Sequence, residues 1–545
     1  MAPTIPRIDL RMDDLERVVN RARQAPLTED DYTTLKAAID TLGYVAQLVE
    51  QKGTTLAGLR QLLFGATTEK TRAVLARAGL DTPASAGPRG DEADPARRDR
   101  RGNGHGRHGA EAYAGAHHID VPHPRVHQGD ACPACVKGKV YRQRDPGVLI
   151  RLVGQAPIAA TVYALEKLRC HLCGELFTAD PPAGVGAEKY DATTGAMIAL
   201  LKYGSGMPFY RLERLQASVH IPLPASTQWE IVADTAGRLR PALDELMRQA
   251  AQGEIVHNDD TSMTVLDLRP GSPRGDPEDD VSPERTGVFT SGIVSTRDGH
   301  RVALFVTGRR HAGENLARVL AARTADLGPP IQMCDAAARN LPKPWAVIVA
   351  HCLAHARRRV VEVTPSFPAE CRHILETLRA VYHHDADARA QGLSSEARLV
   401  FHQAHSGPLM DHLHTWLAAQ IDDHQVEPNS GLGQAIAYLR NHWVPLTLFL
   451  RQADAPLDNN LCERALKKAI LHRKNALFYK TTNGAHVGDL FMSVIHTCEL
   501  EGANPFDYLT ALHRHAEALA DNPTAWMPWT YRDTLAQLNP RAPSP

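Results

Sequence analysis

Apolar residues recur at every seventh position near the start of the chain. Five residues form the repeat: Leu35, Leu42, Val49, Leu56 and Leu63. A strict seven-residue period is typical of a short coiled coil, although Gly43, Gly53 and Gly58 each weaken a helix by roughly 1 kcal/mol. The pattern predicts a helical, zipper-like region over residues 1–78, which either pairs with a second copy of the chain or packs on its own protein.

The periodicity is lost over residues 79–115, which are rich in Gly, Pro, Asp and Arg. Five arginines lie close together there: Arg97, Arg98, Arg100, Arg101 and Arg107. Such a composition cannot bury enough apolar surface to fold, so it predicts a disordered linker. Contact of these arginines with DNA phosphates is the alternative interpretation.

Two Cys-x-x-Cys pairs follow, with strand-like patterns over residues 148–153 and 159–168 between them. The four cysteines are Cys132, Cys135, Cys170 and Cys173. Four thiolates arranged in two such pairs suit the tetrahedral sulfur site that Zn²⁺ prefers. We therefore predict a zinc-ribbon domain over residues 116–182. A redox pair is disfavoured, because two motifs would then serve one task.

Helical patterns occupy residues 183–252. A turn over residues 220–224 separates two predicted helices, and Thr227 with Glu230 forms a capping-box pattern at the start of the second. Helix, short turn and helix are compatible with a DNA-reading helix-turn-helix, but the second helix carries few basic residues at its start. A DNA-binding region and a plain helical linker domain both stay open.

The hydrophobic period changes to that of strands after Gly253. The predicted elements are a strand over 254–266, a hairpin over 286–306 that turns at Asp298 and Gly299, a helix over 312–323, a strand over 330–335, a further helix, and a strand over 345–351. This order predicts a mixed α/β core whose first part spans residues 253–365. We expect an all-helical insertion over 366–455, a helix completing the core within 456–500, and a helical tail over 501–545.

Acidic residues stand where two of these strands give way to polar sequence. Asp259 and Asp260 lie in the first strand, Asp335 ends a later one, and Glu463 lies in a helix that Asp458 or Asn459 can cap. Strand ends are where α/β folds place chemistry. Three converging carboxylates need a counter-charge, which two Mg²⁺ ions about 3.5–4 Å apart would supply while clamping a phosphodiester. The alternative is that the aspartates only form turns or caps.

The predicted helix that carries Glu463 is rich in basic residues: Arg464, Lys467, Lys468, Arg473 and Lys474. Arg357 and Arg358 add two more bases after the last predicted strand. Such a face suits a polyanion such as DNA, with the carboxylate free to hold a cation. The alternative is a solvated helix with an ion pair at a spacing of four residues.

Composition narrows the class of protein without deciding it. The chain has 545 residues, 43% of them hydrophobic and 23% charged, so it is long enough for roughly three or four domains. Its net charge of −1 provides no global attraction for nucleic acid, so DNA binding would depend on local patches. We expect no membrane segment, no signal peptide and a cytoplasmic location, where nine cysteines favour metal binding over disulfides.

Together these segments resemble the insertion sequence 66 family of bacterial transposases, which have a ribonuclease-H-like core and a DDE catalytic triad. The matching segments are residues 257–261, 332–335, 352–358, 457–464 and 473–475. The leucine repeat, the cysteine pairs and Ala503-Asn504-Pro505 also match, so the resemblance covers most of residues 35–530.

The resemblance implies that Asp259, Asp335 and Glu463 are catalytic and bind Mg²⁺ or Mn²⁺. We choose Asp259 over its neighbour, because Asp260 would point to the opposite side of a strand. Cys352 with His355 resembles a motif of several transposase families. A zinc site made of these two residues alone is not expected, and packing or DNA contact is favoured.

The implied activity is DNA cleavage and strand transfer at the terminal inverted repeats of a mobile element, with joining to target DNA. Implied partners are further copies of the chain, bound through the coiled coil, and accessory proteins of the same element, at the nucleoid. Two alternatives stay open: a metal-dependent nuclease or resolvase without strand transfer, and a zinc-dependent DNA-binding protein with an inactive core.

Overall fold

A computed structural model describes residues 28, 31–32, 35–36, 71, 74, 121, 124–125, 127–135, 137–141, 155–169, 176–186, 188–269 and 285–538. The chain separates into two compact units. One comprises Met1–Thr82 with Thr364–Arg372, and the other comprises Pro83–Val363 with His373–Pro545. The predicted linker and all of the heptad positions except Leu35 lie outside the described residues, so the coiled coil stays a prediction.

Seven strands and fifteen α-helices are formed by the described residues. The strands are β1 Lys167–Arg169, β2 Leu176–Thr178, β3 Ile255–Ser262, β4 Phe289–Arg297, β5 His300–Gly308, β6 Ile331–Cys334 and β7 Ile348–His351. The helices are α1 Ala192–Ala199, α2 Phe209–Ser218, α3 Ala225–Ala251, α4 Ala312–Leu320, α5 Leu353–Val363, α6 Pro368–Ala390, α7 Ser395–His405, α8 Gly407–Asp422, α9 Gly431–Asn441, α10 Trp443–Leu446, α11 Asn460–Ala476, α12 Thr482–Leu500, α13 Pro505–Arg514, α14 Ala516–Asp521 and α15 Tyr531–Leu538.

A five-stranded mixed sheet lies at the centre of the larger unit, in the order β5-β4-β3-β6-β7. β3, β4 and β5 are antiparallel neighbours, whereas β6 and β7 run parallel to β3. The predicted hairpin is confirmed: Asp298 and Gly299 have φ of 51° and 82°, the positive values that the tight turn between β4 and β5 requires. The sequence-based prediction of a mixed α/β fold with many helices is thus confirmed at this level.

Helices cover both faces of this sheet. α4 packs on β3 and β4, and α11 also packs on β3 and β4. The long helix α3 buries Leu239 and Leu246 in a core shared with Ile293 of β4, Leu304 of β5 and Phe491 of α12. The face that α11 covers is the one that carries the candidate site.

At the β5 edge of the sheet, side chains of α12 take the place of a further strand. Four side chains spaced four residues apart accept hydrogen bonds from four N–H groups spaced two residues apart on β5. The pairs are Glu501 with Arg301 (2.7 Å), Thr497 with Ala303 (3.1 Å), Ser493 with Phe305 (2.9 Å) and Asp489 with Thr307 (2.6 Å). Four helical residues rise about 6.0 Å and two strand residues about 6.6 Å, so the two spacings match.

Three local sequence predictions are wrong. The helix predicted after Asp335 is a single 3₁₀ turn over Ala338–Asn340, because Pro342 and Pro344 follow and proline ends a helix. The predicted capping box of Thr227 and Glu230 does not form, since α3 begins earlier, at Ala225 after Pro224.

The third concerns the zinc-ribbon region. Residues 159–166 were predicted as part of a strand, but only Lys167–Arg169 forms one, paired with β2. Residues 159–166 have no paired strand within the described part of the chain, and Val162 is 92% exposed. The predicted strand over 148–153 lies outside the described residues.

The stretch between β7 and α11 is helical, as predicted, through α5 to α10. Its designation as an inserted domain, like the other predicted domain boundaries, stays a prediction. Within the described residues, none of the helices combines the length and the apolar composition needed to cross a bilayer.

Candidate active site

Asp259 and Asp335 are brought together by the parallel pairing of β3 and β6. The register pairs Ile255 with Ile331 and His257 with Met333. Asp259 and Asp335 each lie two residues beyond the last of these pairs, so continuing the register sets them side by side on one face of the sheet. The sequence pattern indicated two strand ends, but only Asp335 follows the end of its strand, since Asp259 lies within β3. The strand pairing supplies their adjacency.

Asp259 lies in an unfavourable place for a charge. Burial is the largest cause that raises its pKa, to about 7, and the negative charges of Asp335, Asp260 and Glu463 raise it further. The N–H of Asp260 donates to Asp259 Oδ1 at 2.8 Å and partly offsets this effect. The negative charges of the other three carboxylates therefore act on Asp259.

The turn after β6 fixes the orientation of Asp335. The N–H of Ala337 donates to its Oδ1 at 3.0 Å, and Asn340 Nδ2 donates to the same atom at 2.5 Å. The carbonyl oxygen of Asn340 in turn accepts from Asn258 of β3 and Gln332 of β6, at 2.8 and 2.6 Å. These contacts tie the turn to both strands that carry the aspartates.

Glu463 lies in the first turn of α11, and Asn459 anchors that turn. Asn459 is fully buried, and its Nδ2 donates to the carbonyl oxygen of Asn258 at 3.1 Å. Its Oδ1 lies 3.1 Å from His257 Nδ1, and its backbone N–H donates to Cys352 Sγ at 3.2 Å. Asn459 therefore links α11 to β3 and to the end of β7. It has no side-chain capping bond within the helix, whereas Asp458 accepts from the N–H of Asn460 at 3.1 Å.

A glycine allows α11 to lie close to the sheet. Gly292 of β4 stands opposite Asp259 in the register. A Cβ there would lie 3.0 Å from Leu466 and 3.4 Å from Cys462 Sγ, and that thiol donates to the carbonyl oxygen of Gly292 at 3.3 Å. A larger residue would push the helix outward, so Gly292 helps to bring Glu463 to the aspartates.

Asp260 points to the opposite face of β3, as strand alternation requires. Its carboxylate lies 2.8 Å from His311 Nδ1, beside α4, and 3.7 Å from Arg339. Only 3% of its side chain is exposed. These contacts explain Asp260 as a structural residue and leave Asp259 on the face that α11 covers.

Cys352 and His355 lie beside Glu463, a grouping that sequence reasoning missed. His355 Nδ1 is 3.6 Å from Glu463 Oε1, and burial raises the pKa of the Cys352 thiol to about 12. Ligand atoms of the three residues all lie within 4.8 Å of one another. The Cys-x-x-His spacing was the available signal, but nothing in it pointed to Glu463.

The bases predicted to bind DNA have different surroundings. Arg464, Lys467 and Lys474 have exposed side chains. Lys468 pairs with Glu499 at 2.7 Å, and Arg473 donates to Ser262 Oγ at 2.7 Å, so these two brace the fold.

Arg358 is exposed and Arg357 is half-buried, both in α5.

The predicted zinc site is described only in its first half. Ala131 pairs with Lys139, and the N–H of Cys132 donates to the carbonyl oxygen of Gly138 at 2.7 Å, so Cys132 and Cys135 sit in a tight turn. Hydrogen bonds from the backbone of Gly138 and Lys137 lower the pKa of the Cys135 thiol, as a metal ligand needs. Cys170 and Cys173 lie outside the described residues, so the four-cysteine site stays a prediction.

Comparison with known proteins identifies the family. Residues 189–487 match the model of the Transposase IS66 family. The uncharacterized protein y4jD of Sinorhizobium fredii is 28% identical over 333 residues, which cover 58% of this chain and 61% of y4jD. The uncharacterized protein y4hP of the same organism is 26% identical over 410 residues, covering 68% of each chain. The chain thus spans about three fifths of the length of y4jD.

The matched residues contain the whole five-stranded sheet, its flanking helices α4 and α11, and all three candidate carboxylates. Since the family model covers more than half of the sequence, the chain belongs to the IS66 family of transposases.

Proposed function

We propose that this chain is a DNA transposase that binds the terminal inverted repeats of an insertion sequence and catalyses metal-dependent cleavage and strand transfer. The register that sets Asp259 and Asp335 side by side, with Glu463 on the helix that packs on β3, supports the proposal. Its physical sign is the pKa of Asp259, which burial and the neighbouring carboxylates raise to about 7. A site that concentrates negative charge in this way is suited to a bound cation.

The donor set fits Mg²⁺ or Mn²⁺, which prefer carboxylate oxygens. Glu463 Oε1 is buried and has no hydrogen-bond partner within the described part of the chain, and His355 Nδ1 lies 3.6 Å from it, so this oxygen can still accept a ligand. When bound, the cation would polarise the phosphodiester and activate the attacking water or 3′-hydroxyl. The protein supplies position: the turn at Asn340 orients Asp335, and Asn459 anchors the helix that carries Glu463.

DNA would be held by bases beside this carboxylate set. Arg464, Lys467 and Lys474 follow spacings of three and seven residues, which places them on one outward face of α11. Their exposed charges suit phosphate contacts, which position DNA without reading its sequence. We propose lesser roles for Lys468 and Arg473, whose contacts brace the fold, and phosphate contacts for Arg357 and Arg358.

The remaining parts complete the proposed assembly. A zinc ribbon built on Cys132, Cys135, Cys170 and Cys173, with the helical region after it, would recognise the element ends. The N-terminal heptads would join protomers, and accessory proteins of the same element would take part.

The test is a cleavage and joining assay with labelled element ends, a target plasmid and Mg²⁺ or Mn²⁺. We expect Asp259→Asn, Asp335→Asn and Glu463→Gln each to abolish cutting and to retain DNA binding. A residue whose variant cuts at the wild-type rate is not a metal ligand. Hydrolysis without joining would favour the nuclease, and binding without cleavage in either metal would favour the inactive regulator.

A further inference from the structure

Three side chains of different chemistry meet beside the carboxylate set. Cys352 directly precedes α5, His355 lies in its first turn, and Glu463 lies in the first turn of α11. One ligand atom from each lies within 4.8 Å of the other two. His355 Nδ1 and Glu463 Oε1 lie 3.6 Å apart.

Two of these atoms are buried and lack a hydrogen-bond partner in the described part of the chain: His355 Nδ1 and Glu463 Oε1. Buried polar atoms are normally hydrogen-bonded, and 3.6 Å is too long for a hydrogen bond between these two atoms, so the pair can take a bridging ligand. A cation placed between an imidazole nitrogen and a carboxylate oxygen would satisfy both atoms at once. Neither residue is sealed off, because about a quarter of each side chain is exposed.

The chemistry of the three donors selects the cation. Mg²⁺ takes oxygen ligands, whereas a thiolate with an imidazole and a carboxylate is a set that Zn²⁺ accepts. Ligand atoms around tetrahedral zinc lie roughly 3.3–3.8 Å apart, given bonds of about 2.0–2.3 Å. The distance between His355 Nδ1 and Glu463 Oε1 already falls in that range. Rotation of the flexible Glu463 side chain can shorten its distance to Cys352.

We propose that Cys352, His355 and Glu463 form a binding site for a thiophilic divalent cation such as Zn²⁺, and that its occupation withdraws Glu463 from Asp259 and Asp335. On binding, the Cys352 thiol releases its proton to solvent and the thiolate sulfur bonds to the metal, with no change of oxidation state. Zinc would thereby inhibit the magnesium-dependent reaction. This second part rests on the proposed function, whereas the binding site does not.

The binding site is tested by titrating the metal-free full-length chain with Co²⁺ and recording thiolate-to-cobalt charge-transfer absorption. Cys352→Ser should lose one equivalent of bound metal and part of this absorption. His355→Gln should weaken the same equivalent roughly 10- to 100-fold. Cys498→Ser is the matched control, since Cys498 is equally buried but lies in α12. The predicted ribbon cysteines contribute equally to all four proteins.

An unchanged stoichiometry and spectrum in both Cys352→Ser and His355→Gln would overturn the site. Circular dichroism of each variant checks that the fold is retained. Because two independent ligands are tested, misfolding of one variant leaves the other to decide.

Inhibition is tested by the ratio of DNA cleavage rates in Mg²⁺ with and without added Zn²⁺, taken within each variant. We expect zinc to slow the wild type about tenfold or more, and the ratio to approach one in Cys352→Ser and His355→Gln. Equal inhibition of the variants and the wild type would overturn the inhibitory role. If the chain does not cleave DNA at all, the proposed function fails, and the cobalt titration still decides the metal site.

Discussion

Asp259 and Asp489 are both buried aspartates whose pKa is raised to about 7, and burial is the largest cause in each. A backbone N–H donates to each and lowers its pKa, but the other neighbours differ. At Asp489, the N–H and hydroxyl of Thr307 donate at 2.6 and 2.7 Å and lower the pKa. At Asp259, the charges of three carboxylates raise it.

The comparison shows that a raised pKa does not by itself mark a functional residue. Asp489 belongs to the row of side chains on α12 that accepts hydrogen bonds from the edge strand β5. These hydrogen bonds stabilise the fold and offset the cost of burying its carboxyl group. Asp259 accepts one backbone hydrogen bond as compensation, and the charges that act on it are negative. The like charges that raise the pKa of Asp259, and that are not among the causes at Asp489, distinguish a candidate metal ligand from a structural carboxylate.

The largest effect should come from exchanging the two aspartates for asparagine one at a time. Asp259→Asn should reduce DNA cleavage by roughly 10²–10³-fold or more, because a ligand for the charge-stabilising metal is lost. Asp489→Asn should retain cleavage, since the amide can still accept from the N–H of Thr307. In metal-free buffer Asp259→Asn should also raise the thermal midpoint, because carboxylate repulsion is relieved. Equal loss of cleavage in both variants would contradict the distinction.

The next effect concerns the helix that covers Asp259. Gly292→Val should push α11 away from β4 and lower cleavage about 10²-fold, the typical result of a displacement near 1 Å. Adding Leu466→Ala should restore part of the rate, because it clears the contact. Gly308→Ala, on β5, is the control, since a Cβ there meets nothing within 4 Å. No loss in Gly292→Val would show that the close approach is not needed.

The pH dependence of stability should reveal the raised pKa of the structural carboxylate, Asp489. Its pKa is about 7 in the fold and near 3.8 when unfolded, so between these values the native state binds more protons. Stability therefore falls as pH rises from about 4 to 7, by at most about 1.4 kcal/mol per pH unit. Asp489→Asn should flatten this slope in urea unfolding at pH 5 and pH 7. The exposed Asp411→Asn should not, and a slope unchanged in Asp489→Asn would refute the assignment.

The smallest effect should come from one member of the row that contains Asp489. Ser493→Ala leaves the N–H of Phe305 without its acceptor, which should cost about 1–3 kcal/mol of unfolding free energy. Urea unfolding measures the difference, with Ser218→Ala at an exposed helix end as the control. A change below about 0.5 kcal/mol would show that water satisfies this strand edge.

Sequence reasoning succeeded where the signal is local. Alternating residues and the Asp298-Gly299 turn predicted the β4–β5 hairpin. The change from apolar to polar residues drew attention to Asp259 and Asp335, although only Asp335 follows a strand end. It failed after Asp335, where apolar spacing suggested a helix, but Pro342 and Pro344 limit the segment to a single 3₁₀ turn.

Contacts between distant segments were beyond a local pattern. The role of Asn459 depends on Asn258, His257 and Cys352, and the role of Gly292 depends on the helix above it. Likewise, the four-residue spacing from Asp489 to Glu501 acquires meaning only once β5 is known to be an edge strand.

The position of Glu463 after the helices α5 to α10 has a consequence for biosynthesis. Both aspartates belong to strands that leave the ribosome earlier, and segments can fold as they emerge. Closing so long an interval costs little extra chain entropy, since that cost grows only with the logarithm of length. The third carboxylate nevertheless cannot join the others until α11 has been translated, so a nascent or prematurely terminated chain carries an incomplete set.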